Sequence, residues 1–183
     1  MKKFKVQILG ETYEVSEKSF RTKPNGDGTL STYCYISHAE AGSLVRQFAK
    51  KFFPQYVVRV SSSSFAGGNS LDVYVSTKNG GPVPQAAYEK ISQFARLWVY
   101  GKFDGMTDCY DHYEESGITS DKGTELQAGV KYVMVNNRPR FGTVEAILNE
   151  VLNEGREFAE VVRFYTDASS RPAVVKAKMM LNL

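Results

Sequence analysis

The sequence predicts an α+β fold, a mixed and mainly antiparallel sheet with about three helices, built around a helix–β-hairpin–helix unit. Three observations carry this prediction. Short segments rich in Val, Ile and Tyr recur between turn residues; three stretches carry apolar residues at helical spacing; and the connection between two central β segments is too short for a helical crossover. At 183 residues, with 42% hydrophobic and 23% charged residues, the chain has the composition of a folded globular domain and not of a disordered one.

In chain order, Phe4–Leu9 alternates at period two, and Gly10-Glu11 turns it into Thr12–Val15, an N-terminal hairpin. Lys23-Pro24-Asn25-Gly26-Asp27-Gly28 is loop by its turn chemistry, and Leu30–Ile36 is a strand. Ser37 followed three residues later by Glu40 forms a capping box. The helix after it carries Ala41, Leu44, Val45, Phe48, Ala49 and Phe52 on one face and stops before Pro54. Tyr56–Ser61 and Leu71–Val75 read as an antiparallel pair joined through Ser62–Asn69, where Gly67 and Gly68 supply positive φ.

Pro84 opens a second helix with the stripe Ala87, Ile91, Phe94, Ala95 and Trp98. Tyr100–Gly129 has weak periodicity and is expected to be mostly loop, although so long a loop is unusual. Val130–Val135 is a strand. Thr143 caps a third helix carrying Val144, Ile147, Leu148, Val151 and Leu152, with Gly155 as its stop. Phe158–Tyr165 and Ala173–Leu181 are expected to close the chain as a hairpin. With no repeat and no linker, the organisation is a single domain over 1–183: N-terminal strands to 37, the helix–hairpin–helix module over 38–108, and a strand–helix–hairpin extension over 130–183.

Cys34 and Cys109 form no Cys-x-x-Cys pair, which removes zinc-ribbon and thioredoxin readings; Cys34 reads as a small core residue. No apolar run is long enough for a membrane helix and the basic start lacks a signal-peptide core, so the expectation is a cytosolic protein without a membrane partner. The net charge of +3 is unevenly spread. Residues 102–125 carry −5, while residues 1–23 and the tail from Arg163 carry +3 each.

Candidate chemistry is sparse. Asp104, Asp108 and Asp111, with Asp72 and His112, are the acids and imidazole that could hold a divalent cation or move protons in phosphodiester cleavage. Their spacing matches no EF-hand and no His-Glu-x-x-His motif, so no metal site is assigned and no cofactor is required. Asp104 equally makes a turn with Gly105. Arg46 and Lys50, one helical turn apart, join Arg59, Lys51, Arg138 and Arg140 as cations for nucleic acid, with Tyr56, Phe65 and Tyr74 as stacking rings. The alternative is a solvated helix face with the rings in the core. The glycine-containing loop with Ser64, Phe65 and Asn69 lacks the Lys-Ser/Thr of a P-loop. No Gly-x-Ser-x-Gly elbow supports hydrolase chemistry at His38 or His112.

Residues 38–108 carry a further pattern. Ala41-Gly42-Ser43-Leu44-Val45-Arg46 with Phe53-Pro54, then Val58–Val73 including Ser64-Phe65-Ala66-Gly67-Gly68-Asn69, then Gly81-Pro82 and Phe103-Asp104-Gly105-Met106-Thr107-Asp108 occur in that order. Together they resemble a large polyvalent protein-associated domain of phages and conjugative elements. The resemblance covers under half the chain, and the module is expected to be free-standing, unlike the multidomain proteins in which such domains occur. It implies a mobile-element accessory protein, of the anti-CRISPR kind, that counters a host defence protein or ribonucleoprotein such as a Cas nuclease with its guide RNA, acting in the host cytosol. Under that expectation the acidic stretch through Asp108, Asp111, Glu114 and Glu115 mimics nucleic acid toward a basic groove. A partner-dependent ribonuclease and a non-catalytic nucleic-acid-binding module are the two alternatives.

Overall fold

Local sequence chemistry starts the fold. The computed structural model describes residues 2–104, 109–112, 117–119 and 124–183. β1 (Lys3–Ile8) and β2 (Glu11–Ser16) pair antiparallel through the two-residue turn Leu9-Gly10. Both turn residues have positive φ, 53° and 80°, as the twist-matched hairpin turns demand. A short 3₁₀ turn (Glu17–Ser19) leads into β3 (Phe20–Pro24), a strand that the Pro-Gly-rich sequence around it obscures. β4 (Leu30–Ser37) pairs with it.

α1 (His38–Phe52) begins as expected, with Ser37 Oγ accepting from the Glu40 N–H at 3.3 Å. Glu40 gives the cap its N–H, and its side chain works elsewhere. Its carboxylate accepts from the Ser16 N–H (3.3 Å) and the Ser19 hydroxyl (3.1 Å), tying the helix to the N-terminal hairpin. Gln47 does the same two turns further along that helix face: its amide exchanges two 2.8 Å hydrogen bonds with the Glu14 backbone, in the manner of a neighbouring strand.

β5 (Val57–Phe65) and β6 (Gly68–Ser76) form the antiparallel hairpin that the short connection requires. It is longer than the sequence indicates. Ser62–Ser64 and Asn69 are ladder residues, and only Ala66 and Gly67 (φ 94°) make the turn. α2 (Gln85–Arg96) follows, and β7 (Gly101–Asp104) pairs with β8 (Cys109–His112) as a separate ribbon. β9 (Gly117–Thr119) pairs with β10 (Glu125–Gly129). Thus 100–129, expected to be mostly loop, contributes four strands; their short lengths and charged residues hide the period-two signal.

β10 and β11 (Tyr132–Asn136) are almost one strand, and they join two sheets. β10 lies parallel to β4 in the order β3-β4-β10-β9; β11 lies parallel to β6 in the order β11-β6-β5. The main core sits between these sheets and the two long helices. Ile36, Leu44, Leu71, Val73, Ile91, Trp98 and Leu126 are all fully buried there. Phe48 of α1 stacks on Phe94 of α2 at 4.2 Å and 7°, a pairing worth about 1 kcal/mol beyond its buried area.

The C-terminal region corrects the expected closing hairpin. α3 (Val144–Leu148), capped by Thr143 as expected, runs into a π turn over Asn149–Asn153, with α4 (Phe158–Val162) and α5 (Arg171–Met180) after it. Five α-helices therefore stand among the described residues where about three were expected. Val161 and Tyr165 join Ile147 of α3 and Ala177 of α5 in a second buried cluster, separate from the main core. Pro172 in the first turn of α5 is a helix-start signal, and Ala, Lys and Met are good helix formers.

Candidate nucleic-acid interface

Strand alternation decides which side chains of the β11-β6-β5 sheet face the helices. Val58, Val60, Leu71, Val73, Val75 and Val133 point to the core, where α1 packs on β5 and β6 and α2 on β11. The space under Gly42 of α1 is filled by Val60 and Leu71, whose methyls would stand only 3.2 and 3.3 Å from a Cβ at that position. The opposite face therefore presents Arg59, Ser61, Ser63 and Phe65 from β5, Ser70, Asp72 and Tyr74 from β6, and Tyr132, Met134 and Asn136 from β11.

The Phe65–Tyr132 end of this face is open, and it is not polar throughout. Phe65 is 49% exposed, Tyr132 37% and Met134 53%, although each is a large apolar or aromatic side chain. Phe65 and Tyr132 stack at 6.2 Å and 17°, and the Lys131 ammonium lies 5.5 Å from the Tyr132 ring. Rings on an open sheet flanked by cations are the arrangement by which proteins hold unpaired bases, since every base offers a π face. Hydroxyls fill the centre: Ser63 and Ser70 are hydrogen bonded at 2.8 Å, and Ser70 lies 3.5 Å from Asp72. Burial holds the Asp72 carboxyl above the ordinary range, against the Ser70 hydrogen bond and the Arg140 charge.

The structure separates the cations grouped by sequence. Arg59 stands on the open face opposite Tyr74, whereas Arg46 and Lys50 are on α1, behind the sheet. Arg46 also has local work, donating to the Val60 carbonyl of edge strand β5 at 3.4 Å. On the other edge, Tyr88 of α2 donates to the Val135 carbonyl at 3.0 Å, so both edges carry a side chain that discourages strand addition. Lys51 pairs with Glu11. Tyr56 packs against Phe53 and is no free stacking surface.

Two residues expected to face a partner are tied down. Asn69 donates to the Gly129 carbonyl (3.1 Å) and accepts from the Lys131 N–H (2.8 Å), clamping the hairpin to the β10–β11 junction. Ser64 lies on the helix side, 3.1 Å from His38 Nε2. Neither they nor Lys131 signal these roles in sequence. Nothing in the local pattern singles out Tyr132, Met134 or Lys131 either, because only the parallel pairing of β11 with β6 brings them beside Phe65.

The acidic candidates lie on separate elements where they are described. Asp72 is on β6; Asp104, Asp111 and His112 are on the β7–β8 ribbon, with Lys102 opposite Asp111 and Cys109 opposite Asp104. Asp108, Glu114 and Glu115 lie outside the described residues. Among the described residues no three His, Cys, Asp or Glu side chains come together to hold a metal ion.

A second cleft of about 320 Å³ contains Arg138 and Arg156, both against the Phe164 ring at 3.7 and 5.2 Å. Here Arg156 is answered by a carboxylate. Glu150 is only 5% exposed and accepts from Arg156 (2.5 Å) and from the Tyr165 hydroxyl (2.6 Å). That hydroxyl is pushed far above its usual range by burial and then by the Glu150 hydrogen bond. This is a knot that holds the C-terminal helices together.

The fold and face define an α+β protein with an open aromatic and cationic sheet surface. Comparisons with protein-family models, curated proteins and solved structures return no match to this chain. No helix among the described residues is long and apolar enough to cross a membrane.

Proposed function

We propose that this protein binds single-stranded nucleic acid, RNA foremost, on the open face of the β11-β6-β5 sheet, without cleaving it. The observation that carries the reading is the exposed, stacked Phe65–Tyr132 pair beside Lys131, on a face that also presents Arg59. Bases stack on the two rings, Lys131 and Arg59 meet phosphates, and Ser61 and Ser63 supply hydroxyls for base edges or the 2′-OH.

Within the mobile-element setting that the 38–108 resemblance implies, the matching role is counter-defence: occupying the guide RNA of a host ribonucleoprotein such as a Cas complex. A counter-defence protein acting instead through its acidic 104–115 stretch would need a basic protein groove and no RNA. The deciding measurement is binding of labelled RNA to the purified protein alone at low salt. The expected result is binding that quenches tyrosine fluorescence and weakens when Phe65 and Tyr132 are both replaced by Leu. Absence of binding to every RNA and DNA oligonucleotide, or binding indifferent to that double replacement, refutes the reading.

A further inference from the structure

Beside the exposed rings, the surface continues into a groove of about 400 Å³ between the β11 edge, the end of α2 and the start of β7. Three cations from three separate elements line it: Arg96 in the last turn of α2, Lys102 on β7 and Lys131 at the β10–β11 junction. No carboxylate is among the described lining residues. Arg96 and Lys102 are exposed. Lys131 is held in place: its ammonium donates to the Gly67 carbonyl at 2.7 Å, and its stem fills the space over Gly68, where a Cβ would stand 2.5 Å from Lys131 Cδ. Phe65, Tyr132 and Met134 form the apolar wall of the same groove. Three positive charges gathered along a trough that begins at a pair of stacking rings suit a chain of alternating bases and phosphates better than any small anion.

We propose that this groove is the phosphate track of the interface. A single strand stacked on Phe65 and Tyr132 continues past the β11 edge, its next phosphates lying over Lys131, Arg96 and Lys102. This rests on the nucleic-acid reading above and adds the path of the strand and its sequence-independent character, because cations on phosphates carry no base information. It also gives Asp111 a role. Asp111 stands opposite Lys102 in the β7–β8 ribbon and is exposed, so its charge lowers the local potential at the far end of the track.

The test is binding of labelled oligouridine and oligothymidine of about twelve nucleotides, a length within the usual range of single-strand sites, over a series of salt concentrations. For a single strand, the slope of log affinity against log salt falls by about 0.7 for each phosphate that the protein ceases to neutralise. Arg96→Ala, Lys102→Ala and Lys131→Ala are each expected to flatten the slope by about that amount. Gly68→Ala, which displaces Lys131 without removing its charge from the chain, is expected to flatten it likewise, and Asp111→Asn to tighten binding. Circular dichroism and thermal melting establish that each variant folds, and Gly68→Ala keeps the test alive if Lys131→Ala does not. Flattening with either oligonucleotide supports the track, and the two arms show whether it serves ribose or deoxyribose. If wild type binds and the ring substitutions weaken binding, yet every cation variant keeps the wild-type slope, the track is overturned while the platform stands. If wild type binds neither oligonucleotide, both fall together.

Discussion

Asn69 offers the sharpest division between a contact residue and a clamp. Its amide makes two hydrogen bonds, to the Gly129 carbonyl and from the Lys131 N–H, across the junction where the chain passes from one sheet to the other. Asn69→Ala removes both. At about 1 kcal/mol net for each neutral hydrogen bond, the loss is about 2 kcal/mol, a fall in melting temperature of roughly 4–8 °C for a chain of this size. Asn69→Asp retains the acceptor for Lys131 but turns a carboxylate oxygen toward the Gly129 carbonyl, and is expected to destabilise as well. The assay is urea unfolding followed by circular dichroism, with hydrogen exchange at the Lys131 amide as the local readout. That amide is expected to lose protection in Asn69→Ala beyond the global change, because its acceptor is gone. RNA affinity is expected to fall too, through misplacement of Lys131 and Tyr132. A variant with unchanged stability and unchanged Lys131 protection but abolished binding would refute the clamp and make Asn69 a direct contact.

Two other outcomes follow from buried groups. Glu150→Ala strands the Tyr165 hydroxyl and Arg156 and is expected to cost about 3 kcal/mol, whereas Glu150→Gln keeps an acceptor for Tyr165 and costs less; hydrogen exchange across 144–180 will show whether the loss is confined to the C-terminal helices. Alkaline pH should unfold the protein through the main core. Burial first, and then the charges of Glu40 and Glu11, raise Cys34 and Tyr13 to about 12 from ordinary values of 9.0 and 10.0. Deprotonation is thus harder in the folded state. The stability they contribute is whole below pH 9.0 and is lost as pH climbs toward about 12. The urea midpoint measured from pH 8 upward should fall through that window, and a flat midpoint would contradict the burial of both groups.

Features that depend on neighbours a few residues away were legible before any folding. The capped start of α1, the stop before Pro54, the stripe of α2, the Thr143 cap and the antiparallel sense of β5 and β6 are all local consequences of side-chain spacing, turn chemistry and loop length. The same local rules failed on Phe158–Tyr165 and Ala173–Leu181, where β-branched residues favour a strand but burial of Val161, Tyr165 and Ala177 against Ile147 favours helices. The interface, by contrast, exists only once the chain has folded. Phe65 and Tyr132 are far apart in the chain and meet because β11 adds in parallel to β6; Arg46 and Arg59 are near in the chain and part because α1 covers one side of the sheet. Strand partners are chosen by the burial of whole faces, and no periodicity within one segment records which distant segment will complete that burial.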